Sequence, residues 1–110
     1  NCYPYWEGCD IDYSLIYMKQ MYYHARDVAK GKRVIITETG WPSKGSNLRG
    51  ALPSFKNFLK YFINAQKWSN DDKIEIFYFS SFDESWKIST EGDVGAYWGI
   101  WDNKKESKFS

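Results

Sequence analysis

The feature that most constrains this chain is an alternation. Two short runs rich in β-branched and aromatic residues, Arg33-Val34-Ile35-Ile36-Thr37 and the stretch Lys73–Phe82, each follow a longer segment with helical periodicity. In the first helical segment the apolar residues Ile11, Leu15, Met18, Tyr22, Ala25 and Ala29 recur three or four apart, the spacing of one helix face. Asp10 is suited to cap its start and Gly31 to stop it. The second segment begins near Leu52 or Pro53 and ends near Trp68, before Ser69-Asn70-Asp71-Asp72. Leu52, Phe55, Leu59, Phe62 and Gln66 form its stripe, widened by Phe58, Ile63 and Ala65, and Pro53 suits a first-turn position.

Runs that are nearly all apolar fit strands covered on both faces, as in a parallel sheet. Strands alternating with helices imply βαβ units. Two strands close nothing, whereas a complete (β/α)8 barrel needs about 250 residues. The chain has 110 residues and opens on a loop, residues 1–9, with no strand in front of it. The expected fold is therefore α/β, one portion of a larger domain ordered loop, helix, strand, helix, strand, and incomplete by itself.

Composition excludes several classes. Hydrophobic residues make 43% and charged residues 26%, an ordinary globular balance. No long apolar run reads as a membrane span, and no basic-then-apolar start reads as a signal peptide. Fifteen Lys and Arg against 14 Asp and Glu give a net charge of +1, without the basic excess of a nucleic-acid binder. Aromatic residues reach 20%, which fits either a core of large side chains or a carbohydrate cleft whose flat rings meet the C–H faces of sugars. Cys2 and Cys9 fit a short-loop disulfide or two free thiols equally. His24, the one histidine, lies in the first helical segment and is poorly placed to activate either. No metal-ligand spacing is present, and neither metal nor cofactor is expected.

The chemistry gathers after the strands. Glu38 ends the first run and enters a Gly-Trp-Pro loop, and in parallel α/β folds functional groups collect at the C-terminal ends of strands. Glu84 follows the second run in the same way, with Asp83, Trp86 and Lys87 around it. Neighbouring strands lie about 4.8 Å apart, so both carboxylates are expected to open onto one cleft. Two carboxylates in one site suit an acid and a nucleophile, while a lysine beside them favours the ionised form. Tyr3, Tyr5, Trp6 and Glu7 add a third aromatic loop, and three such loops at one end of a sheet make a sugar-binding platform.

Four segments in order, Tyr3-Pro4-Tyr5-Trp6-Glu7-Gly8, Ile36-Thr37-Glu38-Thr39-Gly40-Trp41-Pro42-Ser43, Ser81-Phe82-Asp83-Glu84-Ser85-Trp86-Lys87 and Gly95-Ala96-Tyr97-Trp98-Gly99-Ile100-Trp101-Asp102, carry a resemblance. The chain resembles glycoside hydrolase family 17, the β-1,3-glucanases and glucanosyltransferases, in the fungal and bacterial branch rather than that of the plant defence enzymes. The resemblance implies the C-terminal portion of a TIM-type barrel, residues 1–110, acting on β-1,3-glucan with retention. It implies Glu38 as the nucleophile at the end of the seventh strand, and Trp41 in the loop that follows. It implies Asp83, Glu84, Trp86 and Lys87 as the motif after the eighth strand, where a Glu and a Lys support the nucleophile. Tyr3 and Tyr5, with Trp6 and Glu7 beside them, fall on the loop after the sixth strand, which lines the subsites.

The family's acid/base Glu follows the fourth strand and lies outside these residues, so Glu84 takes a supporting role rather than that of the acid. The isolated chain is then expected to be inactive, with the missing barrel portion or a complementary chain supplying the rest. Ser85 stands where the family commonly has Pro, which would loosen the loop holding Glu84 and Lys87. Ser80-Ser81 stand where Glu-Ala is common, which removes a possible cleft carboxylate. Hydrolysis and transglycosylation share every residue named here. A non-catalytic glucan-binding or degenerate barrel is the rival reading. Secretion or cell-wall association is implied by the resemblance alone.

Overall fold

A computed structural model describes residues 1–109. Helix α1 spans Ile11–Ala29, strand β1 Ile36–Thr39, helix α2 Phe55–Asp72 and strand β2 Ile76–Tyr78, followed by a one-turn helix α3 at Ile88–Glu91 between two 3-10 turns. The alternation of helix and strand is as the periodicity predicts. Asp10 caps α1 by accepting from the Tyr13 amide at 2.8 Å, which satisfies one of the donors a helix start leaves open. Lys30 and Gly31 end it in left-handed geometry, with φ of 52° and 85°.

Helix α2 departs from its predicted bounds at both ends. Ser54, not Pro53, marks the start: its hydroxyl accepts from the Asn57 amide at 3.0 Å, and Pro53 lies before the cap. The helix runs past Trp68 to Asp72 because the polar residues there find partners on their own helix. Trp68 Nε1 donates to Asp72 at 3.1 Å, and Lys67 pairs with Asp71 one turn on at 3.1 Å. The buried stripe also differs: Phe58, Tyr61, Ala65 and Trp68 face inward, while Leu52, Phe55 and Ile63 are exposed.

Strands β1 and β2 pair in parallel, Ile36 opposite Ile76 and Thr39 opposite Tyr78, with an irregularity in register between them. Both helices cover one face of this small sheet. Met18 of α1 and Tyr61 of α2 meet Thr39 of β1: the Thr39 and Tyr61 hydroxyls lie 2.6 Å apart, and Tyr61 donates to the Met18 sulfur at 3.3 Å. Tyr78 sets its ring edge-on to Phe62 of α2 at 4.9 Å. The expectation of strands covered on both faces is corrected on the opposite side, where Thr37 is open and Phe77 is 63% exposed. The helices form a single layer, and on the open side Thr37 meets the N-terminal segment, donating from its hydroxyl to Asn1 Oδ1 at 2.7 Å.

The second strand is also shorter than the apolar run. Phe79 N still donates to Thr39 O at 2.7 Å; beyond it the hydrogen bonding passes from β1 to the returning segment 98–101, with Ser80 N donating to Trp98 O at 3.0 Å and Ile100 N to Ser80 O at 2.9 Å. The lysine-rich tail docks rather than trails. Phe109 stacks on Phe58 at 5.9 Å and lies 5.5 Å from Phe62.

Candidate active site

Glu38 lies in the last half of β1, one residue before its end. Ile36 and Thr39 are both buried against the helices though three residues apart, which regular two-residue alternation does not allow. The register irregularity between them supplies the extra residue. A regular strand would put Glu38 on the face of Ile36, under the helices; the irregularity turns it to the open side.

There the carboxylate meets two donors from the N-terminal segment. Tyr3 OH donates to Glu38 Oε2 at 2.5 Å, and Asn1 Nδ2 to the same oxygen at 3.2 Å. None of the described residues donates to Oε1. The segment is held beside β1 by its backbone, Cys2 N to Glu38 O at 2.9 Å. Burial, and after it the bond to Glu38, raises the Tyr3 phenol well above its ordinary value, so it stays a donor.

A cleft of about 250 Å³ opens over this carboxylate. Tyr3, Trp6, Phe79 and Trp98 supply its aromatic wall, and Lys87 and Glu91 the remaining charges. Trp6 stacks on the buried Trp98 with centroids 6.0 Å apart and planes 24° from parallel, which leaves Trp6 40% exposed as a flat surface. Tyr3 and Phe79 meet Trp98 edge-on at 5.5 and 6.1 Å. Lys87 pairs with Glu84 at 2.9 Å and lies 4.6 Å from the centre of the Phe79 ring. The 3-10 turn Ser85–Lys87 sets that pair.

Of the residues the sequence singles out, the structure brings Glu38, Tyr3, Trp6 and Lys87 to one cleft, with Glu84 attached through Lys87. It does not bring the others. Trp41 is fully buried in the core, its indole donating to Leu52 O at 3.2 Å. Tyr5 is buried too, its hydroxyl on Ser46 O at 2.7 Å. Glu7 is exposed on the turn after Tyr5, and Trp86, 69% exposed, flanks Lys87 without lining the cleft. Asp83 is not among the residues lining the cleft and pairs with a nearly buried lysine, Lys108, at 2.7 Å. Burial lowers the Lys108 ammonium from its ordinary value, with Asp83 opposing that shift.

Sequence reasoning did not select Asn1, Phe79, Glu91 or Trp98. Trp98 stands in a motif already singled out and was within reach. Glu91 gave no signal, because only the short helix α3 carries it to the cleft. Cys2 and Cys9 are free thiols, and burial pushes Cys2 up to about 11, which disfavours its thiolate. Among the described residues, no three of His, Cys, Asp and Glu come together as metal ligands.

Chemically, the cleft offers a carboxylate with one oxygen fixed, a flat aromatic surface and an ammonium. Such a set can hold a pyranose ring against indole and present an oxygen nucleophile to it.

Comparison with known proteins bears on this site. The BtgE/BtgC glycoside hydrolase domain family matches residues 1–99. A glucan 1,3-β-glucosidase of Candida albicans is 30% identical over the whole of this chain and 38% of its own length. A cell surface mannoprotein of the same organism is 35% identical over 66% of this chain and 18% of its own. The crystal structure of a glycoside hydrolase family 17 β-1,3-glucanosyltransferase from Rhizomucor miehei superimposes with a TM-score of 0.92 at 34% identity, over 98% of this chain and 39% of that one. An active-site mutant of that enzyme, in complex with laminaritriose, gives 0.91 at 33% identity over the same shares. The chain thus spans less than two-fifths of the length of these relatives.

Proposed function

The chain belongs to glycoside hydrolase family 17, as a BtgE/BtgC-type domain, and from that premise we propose that it is the C-terminal portion of a barrel that cleaves or transfers β-1,3-glucan with retention, Glu38 being the nucleophile. The observation that carries the reading is the Glu38 carboxylate, fixed through Oε2 by Tyr3 and Asn1, in a cleft walled by Trp6 and Trp98.

In this reading the sugar lies on the exposed face of Trp6, and Glu38 attacks its anomeric carbon. The glycosidic C–O bond breaks, and the leaving oxygen takes a proton from a carboxylic acid about 5–5.5 Å away. That acid belongs to a part of the barrel outside these 110 residues. The same group then deprotonates water, or a hydroxyl of an acceptor glucan, which displaces Glu38 and restores the carboxylate. Lys87 and Glu84 support the nucleophile through their ion pair at the cleft wall. Glu91 offers an acceptor for sugar hydroxyls.

Relatives of both kinds match over nearly the whole chain, a glucan 1,3-β-glucosidase and a glucanosyltransferase, so the reading includes hydrolysis and transfer alike. The product pattern from a laminari-oligosaccharide separates the two, since transfer yields products longer than the substrate. Secretion to the cell wall is the matching location, supported by the cell surface relative.

The test of the nucleophile uses the full-length protein. A fluorinated laminaribiosyl donor that traps glycosyl-enzymes should add its mass to the wild type on the peptide containing Glu38. Glu38→Gln should carry no added mass and should lose laminarin turnover. Near wild-type turnover by that variant would remove Glu38 from the role.

A further inference from the structure

Besides the N-terminal segment with Tyr3 and Trp6 and helix α3 with Glu91, the cleft draws on three stretches far apart in sequence: β1 with its following loop, the turn after β2, and the returning segment that carries Trp98. One side chain outside the cleft ties all three. Lys108 Nζ donates to Ser43 Oγ at 3.1 Å and to Asp83 Oδ1 at 2.7 Å. Asp83 Oδ1 also accepts from Gly99 N at 2.9 Å, and Ser43 donates to Tyr97 O from its amide at 2.9 Å and its hydroxyl at 3.2 Å. Each node of this network sits next to a cleft residue or a few residues from one: Ser43 follows Glu38, Asp83 precedes Glu84 and Lys87, and Gly99 follows Trp98.

The pair is almost out of water, with side-chain exposures of 13% and 8%. Burying two charges gives little net stability, because desolvation offsets their attraction, and an apolar pair of the same volume would hold the fold as well. What such a pair does supply is geometry: an ammonium with three donors, two of them fixed on separate loops and the third side facing the Phe58 ring, 5.3 Å from its centre. Lys108 also lies beyond residues 1–99, the part matched to the family.

We infer that Lys108 is a positioning residue for the cleft: by bridging Ser43 and Asp83 it locks the stretches carrying Glu38, Lys87 and Trp98 into one arrangement. The catalytic consequence rests on the glucan reading above, but the clamp itself does not.

The experiment therefore reads both. In the full-length protein, Lys108→Met leaves Asp83 buried and unpaired and should lower the melting midpoint. The double variant Asp83→Asn with Lys108→Met removes both charges and should recover most of that loss. If Lys108 positions the cleft, the double variant still exchanges the Ser43 and Gly99 amides about tenfold faster than wild type. Its kcat on a laminari-oligosaccharide falls about tenfold or more, with KM within about twofold, since small misplacements act on the reacting geometry. Lys104→Met, an exposed tail lysine, should change neither. If the double variant exchanges these amides at the wild-type rate, or regains kcat together with its midpoint, the clamp is only structural and the inference is overturned. Should the wild type turn over no glucan, the proposed function fails while the amide exchange still decides the clamp.

Discussion

Removing the Tyr3 hydroxyl isolates the contact on which the site reading depends. In Tyr3→Phe the ring keeps its edge-on contacts with Trp98 at 5.5 Å and Phe79 at 6.1 Å, so packing is conserved. What is lost is one hydrogen bond to Glu38 Oε2, at 2.5 Å in the structure. A hydrogen bond to a charged partner contributes about 1.5–3 kcal/mol, against about 1 for a neutral pair. The longer Asn1 contact to the same oxygen, 3.2 Å, remains and retains part of the orientation, so the lower half of that range applies. At about 1.4 kcal/mol per decade, kcat/KM on a laminari-oligosaccharide should fall roughly 10- to 50-fold. The melting midpoint should stay close to wild type, because no apolar area is uncovered. Steady-state kinetics and a thermal melt on the full-length protein are sufficient. Wild-type turnover with an unchanged midpoint would show that Tyr3 does not orient the reacting carboxylate. A large midpoint loss would show that the hydroxyl serves the fold, and the kinetic argument would fall.

Three further perturbations test the frame around the site. At Gly40 a Cβ would sit 2.0 Å from the Phe79 carbonyl oxygen and 3.3 Å from the Trp98 ring, while Phe79 N is fixed on Thr39 O at 2.7 Å. Gly40→Ala should therefore cost about 1–3 kcal/mol in chemical denaturation, and a loss under about 0.5 kcal/mol would mean the strand ends can separate. Tyr61→Phe leaves the buried Thr39 hydroxyl with only a long contact to the Met18 sulfur at 3.6 Å, and should cost about 1–3 kcal/mol by the same assay; a neutral result would indicate that a water replaces the phenol. Asp93 is lowered below its ordinary value of 3.8, first by the Ser46 hydroxyl and then by the Ser46 amide. Its folded value is the lower one, so its contribution is complete above the ordinary value and is lost as pH falls through the folded value. The Ser46 amide resonance should hold constant down to about pH 4 and move below it, and a flat profile to about pH 2 would mean the loop is not anchored there.

The sequence was most legible where one periodicity dominates. The three-four spacing of α1 marks its buried face, and Asp10 and Gly31 mark its ends, because caps act locally. Helix α2 was less legible because its last turn is stabilised by side chains on its own surface, Lys67 with Asp71 and Trp68 with Asp72, which composition reads as a loop. The limits of β2 were invisible for a different reason. Ser80 and Ser81 follow the strand without a break in sequence, yet their backbone hydrogen bonds go to residues 98–101, and partner choice is not a local property. At the site, residue type alone did not separate an aromatic wall from an aromatic core. Tyr3 and Tyr5 stand two apart and look equivalent, but one hydroxyl reaches Glu38 and the other a loop carbonyl. Trp41 and Trp6 divide in the same way.

That division follows from how Glu38 is mounted. In a regular strand, Glu38 would share a face with Ile36 and lie under the helices, where an ionised carboxylate is costly to hold. The extra residue in β1 frees it, but an irregular strand is also a looser one. The neighbouring bonds offset this. Thr39, the next residue, is pinned through its hydroxyl between Met18 and Tyr61, and through its carbonyl by Phe79 N. Glu38 itself gives its carbonyl to Cys2 N, which brings Tyr3 and Asn1 within reach of Oε2. The backbone is thus held on the helix side and on the N-terminal side at once, and only the side chain projects into the cleft. A carboxylate mounted on a strand and braced from two directions retains its aim better than one carried on a loop, which is what the proposed attack on a single carbon centre would demand.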